Sequence, residues 1–515
     1  MKLLVLGLVL LPIAAFFSAI FVPGSRIDAK ISHWRRSVVV VAFAQFVASV
    51  VVFLLAKVSP EHSFDWLPLC HYNSLAGLML MLVSFVGWNV SQFAVRYLDG
   101  EPHQGRFFRY LAITIGAVSL FVVAGNLWIL LFALLVTSLS LHALLLHYPD
   151  RPAARSAAWT KFVVSRLGDF ALLAATVIAV RTCGVTNLPA LFDIVESGSA
   201  SRSALTSMAW LIVLAAMAKS AQFPLHGWLP ETLETPTPVS ALMHAGIVNA
   251  GGYLLIRLSP IVISAPWALA TLAVIGSITL LLAGLSMMVQ PSVKRSLAYS
   301  TVAQMGFMMV QCGFGAFSAA MLHIVAHSLY KAHAFLRSGS VVDDAKLVRY
   351  SSNQLRARPS WLARGFVVVA SVATVASVCA VLQLDLLQKP GGIALATVFA
   401  FALIAWQWES QDESQMGTMP RTMLIAVLLT GSYLTCFLAV DYVVGADVAK
   451  MPLQPMMQVA VSAWVIGTFS VLLLVHGLVR RGSHGVWMQK LYLSALNGFY
   501  VKAVQQRVFE PLARS

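Results

Sequence analysis

Apolar runs, each about the length of a bilayer-spanning helix, recur from one end of the chain to the other. The pattern predicts about fifteen spans, near residues 1–23, 37–56, 73–95, 107–124, 126–146, 159–181, 204–222, 236–257, 261–289, 297–315, 317–340, 361–383, 391–408, 422–442 and 457–479. The first run directly follows Met1-Lys2 and lacks a small-x-small cleavage site, so it reads as a span rather than a signal peptide. Polar positions interrupt this pattern most sharply after Ala204–Ala218, where Lys219 leads into a proline-rich segment ending near Pro238. A broken helix with ionisable groups on both sides is tolerated in a bilayer only where it lines a protein-filled or water-filled interior. Past Arg480-Arg481, residues 487–510 alternate apolar positions (Trp487, Leu491, Leu496, Val504) with Lys490, Lys502, Gln505, Gln506 and Arg507, predicting an amphipathic surface helix.

Composition places the chain in the all-α polytopic membrane class. It is 59% hydrophobic and 11% charged over 515 residues, whereas a soluble protein carries roughly a quarter charged residues. The net charge of +15 does not point to nucleic acid, because Lys and Arg gather in alternate loops. With the N-terminus outside, the odd-numbered loops hold eighteen of them, including Arg35, Arg151, Lys161, Arg295, Lys346, Arg349, Arg356 and Arg358, against six in the even-numbered loops. The tail then lies in the cytoplasm. Five dispersed cysteines and the lack of a glycine-rich phosphate loop give no support to an iron–sulfur, zinc, flavin or nicotinamide site in the chain, and no strands are expected.

The chemistry lies in the ionisable residues inside the spans. A lysine in a dry cavity exchanges its proton more readily, so Lys219 is the first candidate, with snorkelling to the interface as the alternative. His244 follows the break. His323, His327 and Lys331 share one helical face at i, i+4 spacing and must face the interior. Two such histidines also suit zinc, although no third ligand accompanies them on that helix. Arg166 and Asp169 are i, i+3 on the sixth span and suit either a structural or a functional ion pair. Glu231 and Glu234 fit either the pathway or a solvated mouth. Asp385, His142, Arg257, His333 and Glu409 are weaker candidates.

The segments Lys219–Glu231, Pro236–Ala245, Val293–Phe307 and His323–Ala332 resemble the proton-conducting antiporter-like subunits of respiratory complex I and of multisubunit sodium/proton antiporters. Within that superfamily, His244–Pro260, Met309–Phe317, Ala332–Ser340 and Leu491–Val501 are most similar to the DabB family, the membrane subunits of two-component inorganic-carbon accumulation systems. The resemblance implies two inverted five-helix repeats, each with a broken helix. The expected divisions are N-terminal spans at 1–105, repeats at 106–260 and 261–410, C-terminal spans at 411–480 and a tail at 481–515. It implies that Lys219 is the central ion-carrying lysine and that His244, His323, His327 and Lys331 belong to a hydrated polar axis. It also implies a multi-pass protein of a bacterial inner membrane, moving protons or sodium ions without a cofactor of its own. A peripheral cytoplasmic partner, DabA-like and resembling a zinc carbonic anhydrase, would hydrate carbon dioxide to bicarbonate. A proton-pumping quinone oxidoreductase subunit and a sodium/proton antiporter subunit are the alternatives. Two departures stand out. No acid occurs between Gly125 and Tyr148, where complex I members carry a glutamate, and their second-repeat lysine is replaced by leucine near Asp385. Asp169 or Glu234 is the expected stand-in for the missing acid, and Asp385 for the second site.

Overall fold

The computed structural model describes residues 2–58, 64–66, 69–339, 361–413, 419–451, 455–480, 485–505 and 507. The loop residues Lys346, Arg349, Arg356 and Arg358, with Gln506 and residues 508–510 of the tail, lie outside them.

A helix lies along every predicted apolar stretch. The N-terminal part comprises α1 (Lys2–Phe17), the short α2 (Gly24–Ala29), α3 (Ile31–Val58) and α4 (Ser74–Tyr97). A small antiparallel pair precedes α4, β1 (Phe64–Trp66) and β2 (Cys70–Tyr72), paired Phe64 to Tyr72. This pair corrects the strand-free expectation; three-residue strands are too short to register as alternation in sequence. Next come α5 (Gln104–Val123), α6 (Leu127–Leu145), α7 (Pro152–Cys183), the short α8 (Leu188–Glu196), α9 (Arg202–Lys219), α10 (Thr237–Ala245) and α11 (Ala250–Arg257). The four-residue α12 (Ser259–Val262) leads to α13 (Pro266–Val289), α14 (Val293–Gly313) and α15 (Phe317–Leu336). The remainder is α16 (Trp361–Val381), α17 (Gly392–Glu413), α18 (Met419–Val444), α19 (Pro455–Arg480) and the tail helix α20 (Val486–Leu496).

Among the described residues, twelve helical stretches are long and apolar enough to cross a membrane, fewer than the fifteen expected. The predicted spans without a counterpart among the twelve are α9, α14 and α15. Lys219 lies on α9 and the His323–His327–Lys331 face on α15, and these residues lower the mean hydropathy of both helices, while Tyr299, Gln304 and Gln311 lower that of α14. One large apolar core runs from α1 through α15, and α16 to α20 contribute smaller clusters at its flank.

Local chemistry sets the element ends. Asn73 caps α4, its Oδ1 accepting from Ala76 N at 3.0 Å, and Asn126 caps α6 in the same way through Trp128 N at 2.8 Å. Pro152 opens α7, and Gly184 closes it in the left-handed region at φ +70°. The buried Arg257 ties the end of α11 back to this layer, donating to Asn73 Oδ1 at 2.8 Å and to the carbonyls of His71 and Ala124.

Candidate functional site: a buried polar axis through the helix break

Helix α9 ends at Lys219. The chain then runs irregularly through Ser220 to Trp228, makes a 3-10 turn at Leu229–Glu234 and re-enters helix at Thr237. The freed backbone groups find new partners. Ser220 Oγ donates to Val248 O at 2.6 Å, Gln222 Nε2 to Ser220 O at 2.8 Å, and Phe223 N to Thr279 Oγ1 at 2.9 Å. The break is thus locked to α13 and to the turn between α10 and α11, as an unwound segment at membrane depth requires. Glycine permits the close approach. A Cβ at Gly251 would collide with the Ala216 carbonyl oxygen of α9, and one at Gly168 would lie 3.2 Å from Ala218 Cβ and 3.3 Å from Lys219 Cε.

The Lys219 side chain is 8% exposed. Its ammonium sits 2.5 Å from Asp169 Oδ1 and donates to Ser165 O at 3.3 Å. Asp169 Oδ2 takes Arg166 at 2.7 Å, and the same guanidinium donates to Ser138 Oγ at 2.9 Å. The carboxylate is therefore shared by two cations from α7 and α9, while α6 contributes a hydroxyl. Lys161 completes the group. It is 3% exposed, and its Nζ donates to Ser138 O at 2.7 Å and Ser138 Oγ at 3.1 Å. Hydropathy alone places Lys161 among the loop charges, near the predicted start of a span; α7 extends back to Pro152 and carries it inside. The missed signal was the i, i+4 series Lys161, Ser165, Asp169.

A second polar group lies on α10 and α15. His244 is 1% exposed and stacks on Phe335 with ring centroids 4.3 Å apart. His323 and His327 stack with ring centroids 5.8 Å apart. Asn249 Nδ2 reaches Ser328 Oγ at 2.9 Å, joining the α10–α11 turn to α15. Lys331 is fully buried and donates to Ser300 Oγ at 2.7 Å and Leu297 O at 3.0 Å. His244 Nδ1 and the Nε2 atoms of His323 and His327 are buried without a protein partner among the described residues. Buried polar atoms of this kind are ordinarily satisfied by water.

The two glutamates are paired at the basic-loop end of the bundle. Glu231 bonds Arg295 at 2.8 Å and Lys502 of the tail at 2.6 Å, and Glu234 bonds Arg151 at 2.6 Å. Gln505 Nε2 also reaches Pro224 O at 2.6 Å, so the tail is seated against the broken segment. Asp385 stands apart from both groups. It is exposed and accepts from Leu387 N at 2.9 Å. The ion pair of that region is Lys389 with Asp441 of α18 at 2.8 Å, on the rim of a cavity of about 510 Å³ that includes Ser318, the second residue of α15. The pairing was invisible in sequence because its members are 52 residues apart. His333 and Glu409 are exposed, and His142 Nδ1 lies 3.2 Å from Ala158 O.

Residues 124–379 match the family described as NADH:quinone oxidoreductase/Mrp antiporter transmembrane subunits, and residues 70–108 match the N-terminal region of complex I chain 5. A protein of Halothiobacillus neapolitanus named probable inorganic carbon transporter subunit DabB2 is 38% identical over 439 residues, covering 85% of this chain and 79% of that protein. A Hydrogenovibrio crunogenus protein named probable inorganic carbon transporter subunit DabB is 31% identical over 490 residues, covering 94% of this chain and 90% of that protein. The solved Mrp complex of Dietzia sp. shares the fold, with a TM-score of 0.64 at 22% identity, covering 98% of this chain and 59% of the matched one. With a buried lysine at a helix break, and relatives at 38% and 31% identity matched over 79% and 90% of their length, the chain belongs to the DabB family of the complex I and Mrp antiporter-like membrane subunits.

Proposed function

We propose that this chain is the ion-translocating membrane subunit of an inorganic-carbon accumulation system. Protons or sodium ions move along its polar axis and energise a peripheral cytoplasmic partner, DabA-like and zinc-dependent, that hydrates carbon dioxide to bicarbonate. The chain itself has no catalytic site and holds no cofactor. It lies in the inner membrane with its N-terminus outside and its tail in the cytoplasm, so the Glu231–Arg295–Lys502 cluster marks the cytoplasmic mouth. One observation carries the reading: Lys219, sequestered at a helix break, is held by a carboxylate that a neighbouring arginine shares. A carboxylate with two cationic partners can release one of them without being left unpaired, and its departure would free the ammonium to lose its proton. His244, His323, His327 and Lys331 extend the axis into the second repeat. One charge crossing 100 mV contributes about 2.3 kcal/mol, which biases a coupled equilibrium roughly fiftyfold.

The test is Lys219→Ala in the full chain, scored by growth rescue at low carbon dioxide. The variant is expected to insert normally and to abolish rescue. Full rescue would remove Lys219 from the pathway. Tagged chain is expected to co-purify a soluble zinc protein, and purification without one would overturn the coupling.

A further inference from the structure

Three basic side chains, Lys161, Arg166 and Lys219, converge on a region holding one carboxylate, Asp169. Arg166 stays charged in any protein, and both Arg166 and Lys219 have Asp169 as counter-ion. Lys161 has none among the described residues; both of its hydrogen bonds go to Ser138. Burying an unpaired ammonium costs several kcal/mol. A neutral amine has two N–H donors and one lone pair, and the two bonds to Ser138 use those donors, leaving the lone pair open to a proton.

Position adds a second argument. Ala153, Ala157, Lys161, Ser165 and Asp169 form one i, i+4 row along α7. Ala153 and Ala157 line a cavity of about 10 Å³, roughly one water, whose other walls include Glu231 and Lys502. Ser165 supplies the carbonyl that accepts from Lys219. Eight residues of helix separate Lys161 from Asp169, about 12 Å along the axis. Lys161 therefore stands between the mouth and the central lysine.

We infer that Lys161 is a second proton-exchanging amine, the relay through which protons pass between the mouth and Lys219. A proton arriving from the mouth forms a fourth bond to the Lys161 nitrogen. It then leaves for Lys219 once that amine is free, one N–H bond breaking as the other forms, with no net change in charge within the cluster. This inference rests on Lys219 being the ion-carrying amine.

The experiment uses the full-length chain, produced with the proteins that co-purify with it, in everted vesicles, with proton flux read by a pH-sensitive dye. Lys161→Arg keeps N–H donors but fixes a positive charge that cannot leave as a proton, so flux is expected to fall at least about tenfold. Rescue by arginine to within about twofold of wild type is what a structural cation would give, and it overturns the relay. Lys161→His exchanges protons at lower pH, so it is expected to retain flux with a profile shifted to the acid side by a unit or more. An unshifted profile overturns the relay, even if the arginine variant fails to fold. Lys219→Ala separates the two readings. If it keeps wild-type flux, the lysine pathway itself fails; if it loses flux while both Lys161 variants behave as wild type, the relay alone fails.

Discussion

Asp169 shows what a single residue decides in this protein. A carboxylate buried with Arg166 alone would be a structural pair; with Lys219 on its other oxygen it becomes a group whose two partners compete. Outside the spans, His147 in the turn after α6 offers a simpler titration. It is 5% exposed and packs edge-on against Phe107. Burial, with the positive charge of Arg106 and then His103, pushes its imidazole down to about 4. An unfolded histidine titrates near 6.5. Between these values the unfolded chain binds more protons than the fold, so stability rises with pH there and is fully present above about 6.5. The midpoint of thermal unfolding in detergent is therefore expected to drop as pH falls from about 6.5 towards 4. His147→Phe is expected to flatten that acid limb; an unchanged limb would show that other groups set it.

At the scale of the element, the decisive feature is how closely α9 is held. Gly251 lets α11 lie on the Ala216 carbonyl, in the last turn before Lys219. Any Cβ there must push the two helices apart, because the obstructing atom is backbone. Gly251→Val is expected to destabilise the chain by about 1–3 kcal/mol or more, and to shift the lysine from its carboxylate. A Cβ at Gly431 in α18 meets nothing within 4 Å, so Gly431→Val is the matched control. Detergent melting curves of the two variants give the comparison, and equal midpoints would refute the close-approach argument. The same packing explains why α9, α14 and α15 look marginal as spans in sequence yet are helices in the fold. Their polar residues face partners on neighbouring helices, as the Lys331 bonds to Ser300 and Leu297 show.

At the scale of the whole molecule, the tail is joined to the broken helix. Lys502 bonds Glu231, Gln505 bonds Pro224, and Gln290 Nε2 donates to Leu496 O at 3.2 Å. The amphipathic pattern of 487–510 predicts one surface helix; the described chain is helical at Val486–Leu496 and again over 501–505, and the pattern could not say what the polar face would meet. The Lys502–Glu231 pair is partly exposed, so Lys502→Ala is expected to cost no more than about 1 kcal/mol of global stability. Locally it loosens a tether. Proteolytic cleavage after Lys490 or Arg507 in native membranes is expected to quicken by up to about fivefold, and an unchanged rate would mean that the Gln505 contact and α20 packing suffice.

Some properties of this protein follow from covalent order alone. A run of some twenty apolar residues must be helical in lipid because its backbone has no other partner, so the predominantly helical class and the approximate position of the long helices follow from hydropathy. The break at Lys219 follows from prolines, and the His323–His327–Lys331 stripe from the helical repeat. Contacts between distant segments do not follow, because they depend on which helix faces meet. Tertiary packing put Ser138, Lys161, Asp169 and Lys219 in one buried cluster, turned Asp385 to the surface and paired Lys389 with Asp441 instead. A side chain's charge is written in the sequence; its counter-ion is chosen by the fold.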